Sequence, residues 1–156
     1  MQERELFGFF VTGLSVLESI AYSVFALCSM VNAQAFAMQN AQDRRRVSLA
    51  ETEKRLLANF PGEQLTSDFR SCFADTEFQQ WKDIRNTLAH RTSPRRLYRQ
   101  TVSVGAPNTS ITSWAAEWPD FGLSLATSTT VDRRIWSANW TSEFLKAANK
   151  FGRHHL

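Results

Sequence analysis

Between residues 10 and 38, apolar or small side chains recur at Phe10, Leu14, Leu17, Ala21, Val24, Cys28, Val31, Ala35 and Met38, in alternating steps of four and three. That spacing lines up on one face only if the chain is helical, so the sequence predicts a long bundle helix with a continuous seam. Ile20, Phe25 and Leu27 widen the stripe, which asks for cover on more than one side, from other helices or from a second subunit. Length alone also allows a membrane span: Leu6 to Val31 holds one charge, Glu18, and Ser19 to Gln42 holds none. Gly8, Thr12, Gly13, Ser15, Ser19, Tyr22, Ser23, Asn32 and Gln34 dilute that stretch, and Glu18 is costly near a bilayer centre. A soluble helix with no membrane partner is the expectation.

A helix this apolar needs a core to enter. The 156 residues are 43% hydrophobic and 12% aromatic with 6 Gly and 4 Pro, which argues against disorder. A chain of this length buries about 68 to 70% of its unfolded surface, enough for one domain spanning residues 1–156. Net charge is +3, mildly basic. Cys28 and Cys72 form no CxxC pair and sit among apolar or small neighbours, as reduced core residues of a cytoplasmic protein would. The first residues are acidic, with no basic region ahead of the apolar stretch, so no secretory signal is expected.

Arg44 to Arg46 mark an exposed turn, after which Ser48 and Glu51 form a capping box opening a second helix that Pro61 and Gly62 close. A short third helix is expected around Leu65 to Phe73. Thr76 and Gln79 open a fourth, with Phe78, Trp81, Ile84 and Leu88 at helical spacing until Pro94 forbids continuation. Residues 97–128 change character: Val102 and Val104 alternate, Gly105, Pro107 and Asn108 follow, and a hairpin or ordered loop insertion is expected. Thr129 and Asp132 cap a last helix carrying Trp136, Trp140, Phe144, Ala147 and Phe151, which Gly152 ends. The fold class is therefore all-α, a bundle of four to five helices with a long first helix and an insertion before the last.

The chemistry concentrates in the fourth predicted helix. With Phe78 as origin and about 100° per residue, Trp81, Ile84 and Leu88 fall at roughly 240° to 300°, Arg85 near 340°, and Asn86 and His90 near roughly 80° and 120°. Arg85 thus borders the apolar face, while Asn86 and His90 point away from it. Arg85-Asn86-x-x-x-His90 resembles the R-[polar]-x-x-x-H signature of the HEPN superfamily (higher eukaryotes and prokaryotes nucleotide-binding domains). Its members are α-helical and include dimeric, metal-independent endoribonucleases. The likeness rests on three specified residues on a late helix of an all-α domain that begins with a long apolar helix.

The resemblance implies a homodimeric endoribonuclease of toxin or phage-defence type that acts on RNA without cofactor or metal, under the control of an antitoxin or regulatory protein. RNA cleavage by 2′-hydroxyl attack needs a proton removed, a proton delivered and a crowded anionic phosphorane stabilised. A histidine such as His90 can serve as base or acid near neutral pH, and Arg85 can grip two phosphate oxygens. One helix supplies one histidine, so a dimer pairing two such helices completes the site. Asn86 can reach both His90 and Asp83 along the helix surface, an expected relay in which Asp83 fixes the amide and Asn86 orients the ring. Glu18, lone in the first helix, is the expected partner of Arg85, either as a packing salt bridge or to position it. Arg91, Arg95, Arg96 and Arg99 crowd the exit of the fourth helix and could attract an RNA backbone, with Tyr98 among them able to stack on a base. The other reading is a non-catalytic module of the same kind that binds RNA, a nucleotide or a partner protein.

No Gly-rich phosphate loop, H-x-x-x-H or G-x-S-x-G string occurs, so P-loop, metalloenzyme and serine-hydrolase chemistry are poor fits. His154 and His155 are expected to be a frayed tail.

Overall fold

The computed structural model describes residues 3–89, 95–104 and 110–156, with backbone alone at 3–4, 101–104, 110–115 and 127. The chain is mostly helical: α1 (Glu3–Val31), α2 (Ala41–Arg46), α3 (Leu49–Asn59), α4 (Gln64–Ala74), α5 (Thr76–Ala89) and α6 (Thr127–His155). Between α5 and α6 stand β1 (Leu97–Val104), β2 (Ser110–Trp118) and β3 (Leu123–Ser124). They form an antiparallel sheet in the order β1-β2-β3, so the insertion is a hairpin with a short third strand.

The expected seam builds the core. Leu6, Phe10, Leu14, Leu17, Ala21, Val24, Phe25 and Cys28 of α1 are buried and meet Leu56 of α3, Phe69 and Cys72 of α4, Trp81 and Ile84 of α5, and Phe144 and Phe151 of α6. Outside this stripe α1 leaves Phe7, Val16, Tyr22 and Met30 exposed. Residues 5–31 are long and apolar enough to cross a membrane by length and composition.

The helix is shorter than the seam. Spacing alone carries it to Met38, but α1 ends at Val31, because Asn32 Oδ1 accepts from the Ala35 amide at 3.0 Å and offers the backbone a turn in place of the helix. The chain then folds back on itself: Phe36 is fully buried against Phe25 and Phe60, while Ala35 and Met38 pack at the core margin. Arg44 to Arg46 lie in the short helix α2 rather than in an open turn. Asn40 and Asp43 form a reciprocal capping box at its start, and the three arginines sit at its C-terminus, where cations are favoured. This additional element makes six α-helices among the described residues where four to five are expected.

Two further caps differ from expectation. Asp75, not Thr76, opens α5, its Oδ1 accepting from the Glu77 amide at 2.8 Å, while Gln79 turns to the Phe73 carbonyl. The last helix starts at Thr127 after Ala126, two residues ahead of Thr129, and runs through Gly152 to His155. Glycine costs a helix about 1 kcal/mol but does not forbid it, and here Phe151 and His155 pack on Phe60 across the next turn. At the α3 start half of the expected box forms: Ser48 accepts from the Glu51 amide, while the Glu51 carboxylate turns to Arg55 at 2.7 Å instead of back to Ser48.

The hairpin is pinned to the bundle at its base. Trp118 is buried against Phe10, and Gln80 Nε2 donates to the Phe121 carbonyl at 2.9 Å. Gly122 adopts φ +58°, a left-handed conformation that closes the 3-10 turn Pro119–Phe121 and lets the chain enter β3. Arg133 of α6 is buried. It pairs with Glu77 at 2.6 Å, donates to Gln80 Oε1 and lies 5.8 Å from the Phe10 ring centroid.

Candidate functional site

The position of α5 against α1 is set by Trp81. Its indole nitrogen donates to the Phe10 carbonyl at 2.9 Å, and its ring stacks on Phe9 with centroids 5.4 Å apart. The ring occupies the space above Gly13, where any side chain would collide with it. One turn further along α5, and just over one turn further along α1, Arg85 Nη2 lies 3.3 Å from Glu18 Oε1. Arg85 Nη1 also donates to Asn86 Oδ1 at 3.3 Å.

The structure thus brings Glu18, Arg85 and Asn86 together. Glu18 meets Arg85 as expected, with its side chain 46% exposed and that of Arg85 35%, so the pair is half-solvated. Such a pair contributes about 0.2–1 kcal/mol to stability, and its clearer consequence is to hold the guanidinium in one direction. Asp83 and Asn86 do not form the expected contact among the described residues. Asn86 turns instead to its neighbour Arg85, while the Asp83 carbonyl accepts from Thr87 Oγ1 at 2.9 Å. His90 and Arg91 lie outside the described residues, as does the helix end expected before Pro94.

The other expected RNA-facing residues divide. Arg96 Nη1 donates to Tyr98 Oη at 3.2 Å and its guanidinium carbon lies 5.9 Å from the centroid of that ring, with Tyr98 63% exposed. Arg99 pairs across the sheet with Glu117 at 2.9 Å. Side chains alternate along a strand, so Tyr98 and Arg99 point to opposite faces of the sheet. Arg95 is exposed in the segment leading to β1.

Two concavities lie along α1, one of them lined by Glu18. One, of about 640 Å³, is lined by Ser15, Glu18, Ser19, Tyr22, Ser23 and Ser48. Sequence reasoning missed it because Ser15, Ser19 and Ser23 read only as diluents of an apolar helix. Their hydroxyls donate to the carbonyl one turn back, leaving oxygen lone pairs toward the hollow. The other, of about 790 Å³, is an apolar groove between α1 and α6 whose lining includes Val16, Ile20, Leu27, Phe144, Leu145 and Ala148. Ser19 and Ser23 border both.

Cys28 and Cys72 are buried free thiols, and burial pushes each up to about 12, with Asp75 adding to the effect at Cys72. Neither is a nucleophile near neutral pH. No family model, curated protein or solved structure matches the chain.

Proposed function

We propose that the chain is a HEPN-like, metal-independent endoribonuclease that cleaves RNA by 2′-hydroxyl attack, with a composite active site at a homodimer interface. Arg85 is the phosphate-binding cation, Asn86 a polar partner beside it, and His90 the general base or acid. The observation that carries this reading is the arginine itself. Its guanidinium is held by Glu18 and Asn86 on a half-exposed edge of α5, one turn and a residue before His90 in the sequence. A phosphate arriving there meets a charge already aimed, so less ordering entropy is lost on binding.

The dimer has support next door. The apolar α1–α6 groove shares Ser19 and Ser23 with the hollow that Glu18 lines, so a second copy seated on the groove would border that hollow. Two buried, high-pKa thiols suit a reducing cytoplasm.

The test is incubation of the purified dimer with single-stranded RNA in EDTA. The reading requires fragments ending in 2′,3′-cyclic phosphate and 5′-hydroxyl, and requires Arg85→Ala and His90→Ala each to abolish them while helicity is retained. The exposed Tyr98 ring beside Arg96 favours one second reading, a non-catalytic module that stacks on and binds RNA. Binding that Tyr98→Ala weakens, with the RNA left intact, decides for that reading.

A further inference from the structure

At the far end of α6 from the hairpin, the geometry points to a site for a divalent transition cation, Zn²⁺ in the first instance, formed by Glu63, His154 and His155. The three residues offer one carboxylate oxygen and two imidazole nitrogens, all within 4.8 Å of one another. His155 Nε2 lies 3.0 Å and His154 Nδ1 3.6 Å from the same oxygen, Glu63 Oε1.

Hydrogen bonding accounts for only part of this. The 3.0 Å contact is an ordinary hydrogen bond; the 3.6 Å contact is beyond one, and the His154 ring, which also packs 4.6 Å from the His155 ring, brings a second nitrogen to the same oxygen. A tetrahedral ion with ligand bonds of about 2.0–2.2 Å separates its ligands by about 3.3–3.6 Å, so the His154 spacing already suits one and the His155 contact would open by a few tenths of an ångström. Two neutral imidazoles and a carboxylate form a donor set of borderline hardness with one negative charge, suited to Zn²⁺ and leaving a position for water.

The placement of Glu63 is an independent sign. It is the N-cap of α4, where a carboxylate would ordinarily turn to the free amides of its own helix, yet its side chain makes no capping hydrogen bond and faces the histidines. His155 is supported from behind by Phe60 and Phe151, with ring centroids at 5.5 and 4.4 Å, which fixes one ligand ring against apolar surface. A bound ion would fasten the last turn of α6 to the α3–α4 connection. The site is structural in this role and independent of the ribonuclease reading.

The experiment titrates the full-length protein with Zn²⁺ by calorimetry and follows its melting temperature. One equivalent per chain with a raised melting temperature is expected. Glu63→Gln and His154→Gln should each weaken binding on the order of 10- to 100-fold or more, a loss at least as large as that for supporting residues around metal sites. His154 is 72% exposed, so its substitution leaves folding intact and keeps the test readable even where His155→Ala does not. Absence of saturable binding at 100-fold excess overturns the assignment. So does Zn²⁺ affinity that survives both substitutions and is lost instead in His90→Ala.

Discussion

Gly13 and Trp81 form a lock: a Cβ built on residue 13 would stand 2.1 Å from Trp81 Cζ2, with two more ring atoms within 3.0 Å. The indole cannot withdraw, because it is buried, hydrogen-bonded to the Phe10 carbonyl and packed against Phe9 and Trp136. The absence of a side chain at residue 13 therefore sets how closely α5 approaches α1. Gly13→Ala should destabilise the fold by about 1–3 kcal/mol through overpacking. At Gly8, on the same helix, a Cβ meets nothing within 4 Å, so Gly8→Ala should stabilise by about 0.5–1 kcal/mol. Urea unfolding of the two variants measures effects of opposite sign, and equal effects would remove the special role of residue 13.

That close approach lets Arg85 reach Glu18. Because the pair is half-exposed, Glu18→Gln should change unfolding free energy by about 1 kcal/mol or less. On the proposed ribonuclease reading, its effect on RNA cleavage should be larger, on the order of 10- to 100-fold, as the guanidinium loses its fixed direction. Arg85→Lys should fail to restore activity, since a point charge lacks the planar fork. Parallel unfolding curves and cleavage rates check this, and equal loss in both would make Glu18 a packing residue alone.

The Glu18–Arg85 pairing was legible because a lone charge on an apolar helix and an arginine beside an apolar stripe leave few other partners. The core of α1 was legible for a related reason: Leu6 lies one turn ahead of a seam whose period admits only a helix. What pattern could not reach were competitions decided by single side chains. Asn32 ends α1 four residues short of Ala35, and Asp75 displaces Thr76 as the cap of α5, each through one hydrogen bond. Gly13 read as a break in apolar character because its role exists only once Trp81, 68 positions later, is in place. His154 and His155 read as a tail because their partner, Glu63, lies more than 90 residues upstream.

The apolar groove makes its own prediction. Leu145 is 59% exposed on the groove wall, so replacing it by glutamate removes no core packing and should cost stability no more than about 0.5 kcal/mol. In a dimer seated on the groove, the same charge would be desolvated, so Leu145→Glu should give monomers and lose RNA cleavage together. Light scattering with a cleavage assay reads both. A Leu145→Glu protein that stays dimeric places the second copy elsewhere.

The two thiols predict an alkaline limit. Cys28 and Cys72 ionise near 9 when unfolded and near 12 when folded, because burial penalises the thiolate. Between those values the unfolded chain releases protons that the folded chain retains. Stability from this source is therefore fully present below pH 9 and declines as pH rises toward 12. Urea midpoints across that range should fall, and Cys28→Ala/Cys72→Ala should flatten the decline even if it lowers stability at pH 7. In the native state near pH 8 neither thiol should react with a soluble disulfide reagent.

Arg133 is the buried charge on which the hairpin depends. Burial pulls its pKa below the usual arginine range, while Glu77 and then Asp132 push it back up. Its contact with Gln80 Oε1 fixes the orientation of that amide, whose Nε2 then donates to the Phe121 carbonyl and ties the sheet to α5. Arg133→Met keeps much of the packing on Phe10 but leaves Gln80 Oε1 and Glu77 without their cation, at a cost of about 1.5–3 kcal/mol. If the glutamine carries the coupling, Gln80→Met in the Arg133→Met background should cost less than it does alone. A double-mutant cycle measures this non-additivity, and strictly additive losses would mean that Arg133 supports the bundle without acting through Gln80.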